Sequence, residues 1–135
     1  MDVLITPGAI REIDTLRIFR PKPGTWGVLV GHRRGSRIIV EKVVAAGSPG
    51  TVPRETLLEG LDAVWPGRTV GLVAVRPGAA FRRSIRGPAW FGKLVLELGG
   101  TTKAPSLRPF TVDYGRTFVL VPVPFAPAPK EDARE

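Results

Sequence analysis

At 135 residues, 43% of them hydrophobic and 24% charged, the chain is one domain's worth of globular protein with enough apolar material for an ordinary core. No apolar run approaches the ~20 residues a membrane-spanning helix needs. The opening Met1-Asp2-Val3-Leu4-Ile5-Thr6-Pro7 also lacks the basic start and apolar stretch of a signal peptide, and with no cysteine the expectation is a cytoplasmic protein that makes no membrane contact. A formal net charge of +8 raises nucleic acid and acidic proteins as partners. The excess of Arg, Ala, Gly, Pro and Val also matches what a GC-rich genome produces without functional cause.

In chain order, Val3-Leu4-Ile5 reads as a short strand. Thr6 is placed to cap a helix with Pro7 at its first position, where a missing N–H costs nothing. Ile10, Ile13 and Leu16 recur at helical spacing, and Pro21 and Pro23 stop that helix near Phe19 or Arg20. Apolar, β-branched runs at 26–31 and 37–44 flank Arg33-Arg34-Gly35-Ser36, a hairpin pattern that closes at Ser48-Pro49-Gly50. From Pro53 a second helix carries Leu57, Leu58, Leu61 and Trp65 on one face and ends at Pro66-Gly67; the spacing puts Trp26 and Trp65 in the core. Residues 69–76 form the wholly apolar strand of a sheet centre, followed by a basic loop to Gly87. Residues 88–98 read as strand, and 94–98, 110–114 and 117–125 complete the sheet with Gly115 at a hairpin turn. This predicts an α/β (α+β) chain, a single curved mixed β-sheet flanked by helices in the order β-α-β-β-α-β-β-β-β. It forms a single domain over 1–125 with a disordered charged tail over 126–135.

The strand and loop from Val70 to Gly87 carry the most specific pattern. Val70-Gly71-Leu72-Val73-Ala74-Val75-Arg76-Pro77 ends at a proline, and seven residues separate Arg76 from Ser84. This resembles the core motif of the JAMM (JAB/MPN) metalloprotease family, in which a strand of the type Val-Gly-hydrophobic-aromatic ends in His-x-His-Pro, a Ser follows after seven residues and an Asp three further on. Gly27-Val28-Leu29-Val30-Gly31 and Asp62-Ala63-Val64-Trp65-Pro66-Gly67-Arg68 resemble further parts of the same frame. The resemblance covers roughly residues 3 to 98 and implies a JAMM/MPN-like, cytidine-deaminase-like core.

On that frame the family's two histidines fall at Ala74 and Arg76, its serine at Ser84, its aspartate at Gly87 and its upstream glutamate at Gly24. Alanine and glycine offer no ligating side chain, and a guanidinium stays protonated, donates no lone pair and repels a dication. A catalytic zinc needs about three protein ligands. With one His and no Cys, the sequence predicts neither cofactor nor metal and no metalloprotease activity.

Arg76, Arg82, Arg83 and Arg86 fall within eleven residues that contain no acid. Fixed guanidinium groups there could replace the metal as the positive centre and hold a carboxylate or phosphate through paired hydrogen bonds; the plainer reading is a solvated, flexible basic loop. Ser84, which the resemblance makes an oxyanion donor, otherwise reads as a turn residue or cap. His32 is the sole imidazole. It lies at the turn end of its strand, some 20 Å from the Gly24 end at ~3.3 Å per residue, too far to serve Ser84 as a base, and that separation also sets Arg33, Arg34 and Arg37 apart as a second basic patch. The reading that follows is a pseudoenzyme acting as a protein-binding or scaffold module, as a homo-oligomer or with a protein partner, and taking an acidic peptide at the arginine-rich site. The alternatives are a basic nucleic-acid-binding domain, with Phe81, Trp90 and Phe91 as stacking aromatics, and a non-metal hydrolase.

Overall fold

The computed structural model describes residues 2–19, 22–48, 50–100, 105–114 and 117–122, and the strand most apolar in sequence lies within its sheet. In chain order the elements are β1 (Asp2–Ile5), α1 (Pro7–Phe19), β2 (Trp26–Arg34), β3 (Arg37–Gly47), α2 (Glu55–Val64), β4 (Thr69–Val75), α3 (Ala79–Ser84), a 3₁₀ turn (Pro88–Trp90), β5 (Leu94–Gly100), β6 (Pro105–Tyr114) and β7 (Phe118–Pro122). Among the described residues this is an α+β chain of three α-helices and one seven-stranded mixed sheet of order β1-β3-β2-β4-β5-β6-β7. β1/β3 and β4/β5 are parallel and the other neighbours antiparallel.

All seven residues of β4 are buried, as a strand covered on both faces requires. Val73 and Val75 join Ile5, Ile13, Leu16, Leu29, Leu94, Leu96 and Leu98 in one core cluster, on the side covered by α1. Leu72 and Ala74 join Trp26, Val28, Leu58, Phe81, Ile85, Trp90 and Val95 in the other, where α2 and α3 pack. The alternation is the period of two that a strand imposes. α1 starts as its sequence dictates, with the Ala9 amide donating to Thr6 Oγ1 at 3.2 Å, and it buries Ala9, Ile13 and Leu16.

Three expectations need correction. Residues 79–84 form α3, not a loop; Phe81 and Ile85, one helical turn apart, are both buried and anchor the segment. Residues 88–90 make a 3₁₀ turn that buries Trp90, and the strand starts only at Leu94. Trp65 is 45% exposed, because it is the C-cap of α2 with φ −129° and ψ 81° and has left the helical spacing that would have turned it inward. Trp26, by contrast, is buried as expected. β3 runs to Gly47 and β6 begins at Pro105, both longer than their apolar cores. The turn placed at Gly115, the stretch beyond Pro122 and the tail over 126–135 lie outside the described residues.

No helix of the described residues is long and apolar enough to cross a membrane. The parallel β4/β5 pairing sets Gly71 beside Leu94, and a Cβ on Gly71 would overlap the Leu94 carbonyl oxygen. Gly71→Ala should therefore destabilise the protein by about 3 kcal/mol through overpacking, read as a lower denaturant midpoint at unchanged slope. A change within about 0.5 kcal/mol, typical of a surface site, would contradict this register.

Candidate functional site

The sheet sets out a row of residues across its α2/α3 face. Trp26 on β2 pairs with Ala74 on β4, Ala74 lies beside Glu97 on β5, and Glu97 pairs with Arg108 on β6. At the end of β4 the Gly24 amide donates to the Val75 carbonyl at 2.7 Å, and the Arg76 amide to the Leu98 carbonyl at 2.7 Å. Gly24, Ala74 and Arg76, distant in sequence or differently exposed, thus meet at one end of the central strand.

Each of these positions has a local reason for its residue. Ala74 is fully buried and shares its cluster with Trp26 and Phe81, whose ring centroids lie 6.5 Å apart at 53°. The Trp26 indole N–H donates to the carbonyl and hydroxyl of Thr51, both at 3.1 Å, which fixes the ring. Gly24 has φ 89°, a conformation that glycine adopts without penalty and a glutamate does not. Ser84 Oγ donates to the Phe81 carbonyl at 2.6 Å, a side-chain bond back into its own helix. The Gly87 carbonyl accepts the Trp90 amide at 3.2 Å and so begins the 3₁₀ turn.

Arg82 grips a carboxylate that belongs to the chain itself. Its Nε donates to Glu97 Oε2 at 3.0 Å and its Nη2 to Oε1 at 2.8 Å, a fork-to-fork geometry that is short, planar and directional. The Glu97 side chain is only 7% exposed against 42% for Arg82, so the pair straddles the boundary of the core. The hydrogen bond to Glu97 raises the guanidinium's pKa above its ordinary value, with the Coulomb attraction adding to it and partial burial opposing. Anion capture by arginine, expected at this site, takes place within the molecule. This corrects the expectation for Arg82, which is not an open receptor.

Beside this pair lies a cleft of about 340 Å³, lined chiefly by Arg76, Arg82, Glu97, Gly99, Ser106 and Arg108. Arg76 holds φ 41° directly before Pro77, a left-handed conformation uncommon for a side-chain-bearing residue and further disfavoured before proline. Such local strain gathers at functional positions. The Arg108 guanidinium stands 5.5 Å over the Phe110 ring, a cation–π contact that orients it. Gly99 lines the cleft opposite Ser106, and a Cβ there would crowd the Ser106 hydroxyl at 3.0 Å. Arg83 and Arg86 are exposed and do not line the cleft. A larger cleft of about 460 Å³ beside Trp26, Gly47, Thr51 and Leu57 has Arg54 as its one charged lining residue.

The remaining polar groups lie elsewhere. At the β2/β3 turn Arg33 donates to the Gly92 carbonyl, and Arg37 meets Asp2 at 3.5 Å. His32 Nδ1 lies 2.7 Å from Glu41 Oε1, which also meets Arg68 at 3.1 Å. Ser84 and His32 therefore each have another partner. Among the described residues no group of three or more His, Cys, Asp or Glu side chains could hold a metal ion. Sequence reasoning passed over Glu97, Ser106 and Arg108. The signal for Glu97 was present in Leu94-Val95-Leu96-Glu97-Leu98, a lone acid inside an apolar strand, which demands a cationic partner.

Arg82→Ala would leave the Glu97 carboxylate buried without its fork and should cost about 2 kcal/mol. That is less than a fully buried pair loses, because the guanidinium is partly screened by solvent. Adding Glu97→Gln should recover at least half of the loss in a denaturant titration. Simple additivity of the two single-variant losses would contradict the pairing.

No family model and no curated protein matches the chain. Its fold is similar to that of the solution structure of protein DSY2949 from Desulfitobacterium hafniense, with a TM-score of 0.63 and 18% sequence identity over 96% of this chain and 96% of that one. At that identity the likeness speaks for the fold alone, and it spans nearly the whole of both chains.

Proposed function

We propose that this chain is a catalytically inactive JAMM/MPN-like domain that serves as a protein-interaction module, holding an acidic segment of a partner protein at the cleft beside the end of β4. The observation that carries this reading is Arg76, held at φ 41° before Pro77 on the wall of a cleft that also presents Arg108 and Ser106. A strained arginine among convergent donors is the arrangement a receptor for anions needs. The JAMM-like part of the reading rests on the motif spacing between Val70 and Ser84. It is supported by the meeting of Gly24, Ala74 and Arg76 at one strand end. Ala74 in an aromatic cluster and an arginine at the second histidine's place supply no lone pair to a cation.

The rival readings find less support. Stacking of nucleobases needs exposed aromatic faces, yet Phe81 and Trp90 are buried and Phe91 alone of the three is exposed. A serine nucleophile needs a base in hydrogen-bond reach, whereas Ser84 donates to a helix carbonyl and His32 faces Glu41.

With a fluorescent peptide rich in Asp and Glu, Arg76→Ala and Arg108→Ala should each weaken binding about tenfold, the scale of one charge-assisted contact. Arg33→Ala and Arg34→Ala should leave it unchanged. Equal losses from both basic patches, or cleavage of peptide or isopeptide substrates that a chelator abolishes, would overturn the proposal.

A further inference from the structure

We infer that the molecule has a second binding site, the cleft of about 460 Å³ between the end of β3 and the first turn of α2, and that it takes a monocarboxylate carrying an apolar body. This site is separate from the Arg76 cleft and does not rest on the reading given for it. Its volume falls within the ~300–1,000 Å³ usual for small-molecule sites, which set a few placed polar groups in a mostly apolar wall. Trp26, Val52 and Leu57 supply the wall. The Trp26 ring is fixed before any ligand arrives. Its indole N–H donates to both oxygens of Thr51 at 3.1 Å, and Gly47 leaves the ring its space, since a Cβ there would overlap it. The Thr51 hydroxyl is thereby already satisfied, accepting from the indole and donating to the Ser48 carbonyl at 2.6 Å.

The cation selects the ligand. Arg54 is exposed and is the one charged residue in the lining, and its guanidinium has no hydrogen bond or ion pair among the described residues. In this it differs from Arg82, whose fork is occupied by Glu97. One open fork matches one planar carboxylate in charge and in shape, and no acid lines the cleft to compete for it. The Ser48 and Thr56 hydroxyls, also without partners among the described residues, share the lining. A phosphate monoester carries close to two negative charges and would leave one uncompensated against the apolar wall. An amine would meet a like charge. The complement of a single guanidinium beside Trp26 and Leu57 is an acid with a ring or a branched chain.

The probes are phenylacetate, phenylacetamide and an otherwise neutral peptide ending in phenylalanine with a free terminal carboxylate, each titrated into the nitrogen-15-labelled full chain at neutral pH. The Trp26 indole N–H resonance, assigned by triple-resonance spectra, reports the cleft wall. Phenylacetate should shift it saturably while the Trp65 and Trp90 indoles stay in place, and phenylacetamide should bind at least about tenfold more weakly. Arg54→Gln should weaken phenylacetate binding by a similar factor, and Arg54→Lys by less, because the charge stays and only the fork is lost. Arg54 is exposed, so both variants keep the fold, which unshifted resonances elsewhere verify. Arg34→Ala, at the other end of β2 from Trp26, should change nothing. The two acids separate the sources of the ligand. A peptide at least about tenfold tighter than phenylacetate assigns a protein C-terminus, and a peptide no tighter assigns a free small acid.

Phenylacetamide binding as tightly as phenylacetate, or unchanged binding in Arg54→Gln, would overturn the carboxylate assignment. Absence of a saturable shift at Trp26 with either acid would overturn the site itself. Shifts confined to Gly99 and Ser106 would place the acids in the Arg76 cleft and do the same.

Discussion

A carboxylate fixed on a strand between aliphatic neighbours has to be matched by a cation or the strand does not bury, and Glu97 imposes that condition here. It sits on β5 between Ala74 and Arg108 in register, with a side chain 7% exposed. The match comes from Arg82 on α3. The fork therefore ties a six-residue helix, too short to persist alone, to the sheet. Phe81 and Ile85 bury themselves on either side of that tie, so hydrophobic anchoring and charge pairing act at the same place. With α3 held there, the turn from Arg76 through Pro77 has a defined path, and the cleft beside it has a wall.

The same interaction bears on what the cleft can hold. In a hydrolase built on the proposed JAMM-like frame, the end of the central strand would present a cation to the substrate. In this chain Arg82, reaching in from α3, holds an internal carboxylate on the neighbouring strand. Positions that the resemblance singles out are filled for other ends: Ala74 packs with aromatic rings, Gly24 adopts a conformation a glutamate would resist, and Ser84 closes on its own helix. The cleft extends from the Arg82–Glu97 pair toward β6, with Arg76, Ser106 and Arg108 in its lining. On the proposed reading, a centre neutralised from within beside a margin that is still cationic suits recognition better than bond cleavage.

Much of the fold was legible because local periodicity records burial. The stripe of Ile10, Ile13 and Leu16, the Thr6 cap, and the unbroken apolar run of β4 each state their own structure within a few residues. The hidden part was α3. Its apolar signal is only Phe81 and Ile85, and the arginines between and around them suggested a solvated loop. Trp65 misled for a related reason, since helical spacing holds only while the helix does, and α2 ends one residue earlier. Of the site, Arg76 and Arg82 were visible as an acid-free basic run. Their real neighbours were not, because Glu97 and Arg108 come together through pairing of β5 with β6, and strand register is a long-range property that composition along the chain does not encode.

The most direct test is an anomalous diffraction measurement on crystals of the full chain grown with tungstate, a tetrahedral dianion heavy enough to locate without ambiguity. The account predicts one tungsten peak within hydrogen-bond reach of Arg76 and Arg108, with Arg82 still forked onto Glu97. A tungsten peak at the Arg33-Arg34 turn in its place, or Arg82 released from Glu97 to accommodate a cation beside Ala74, would contradict it.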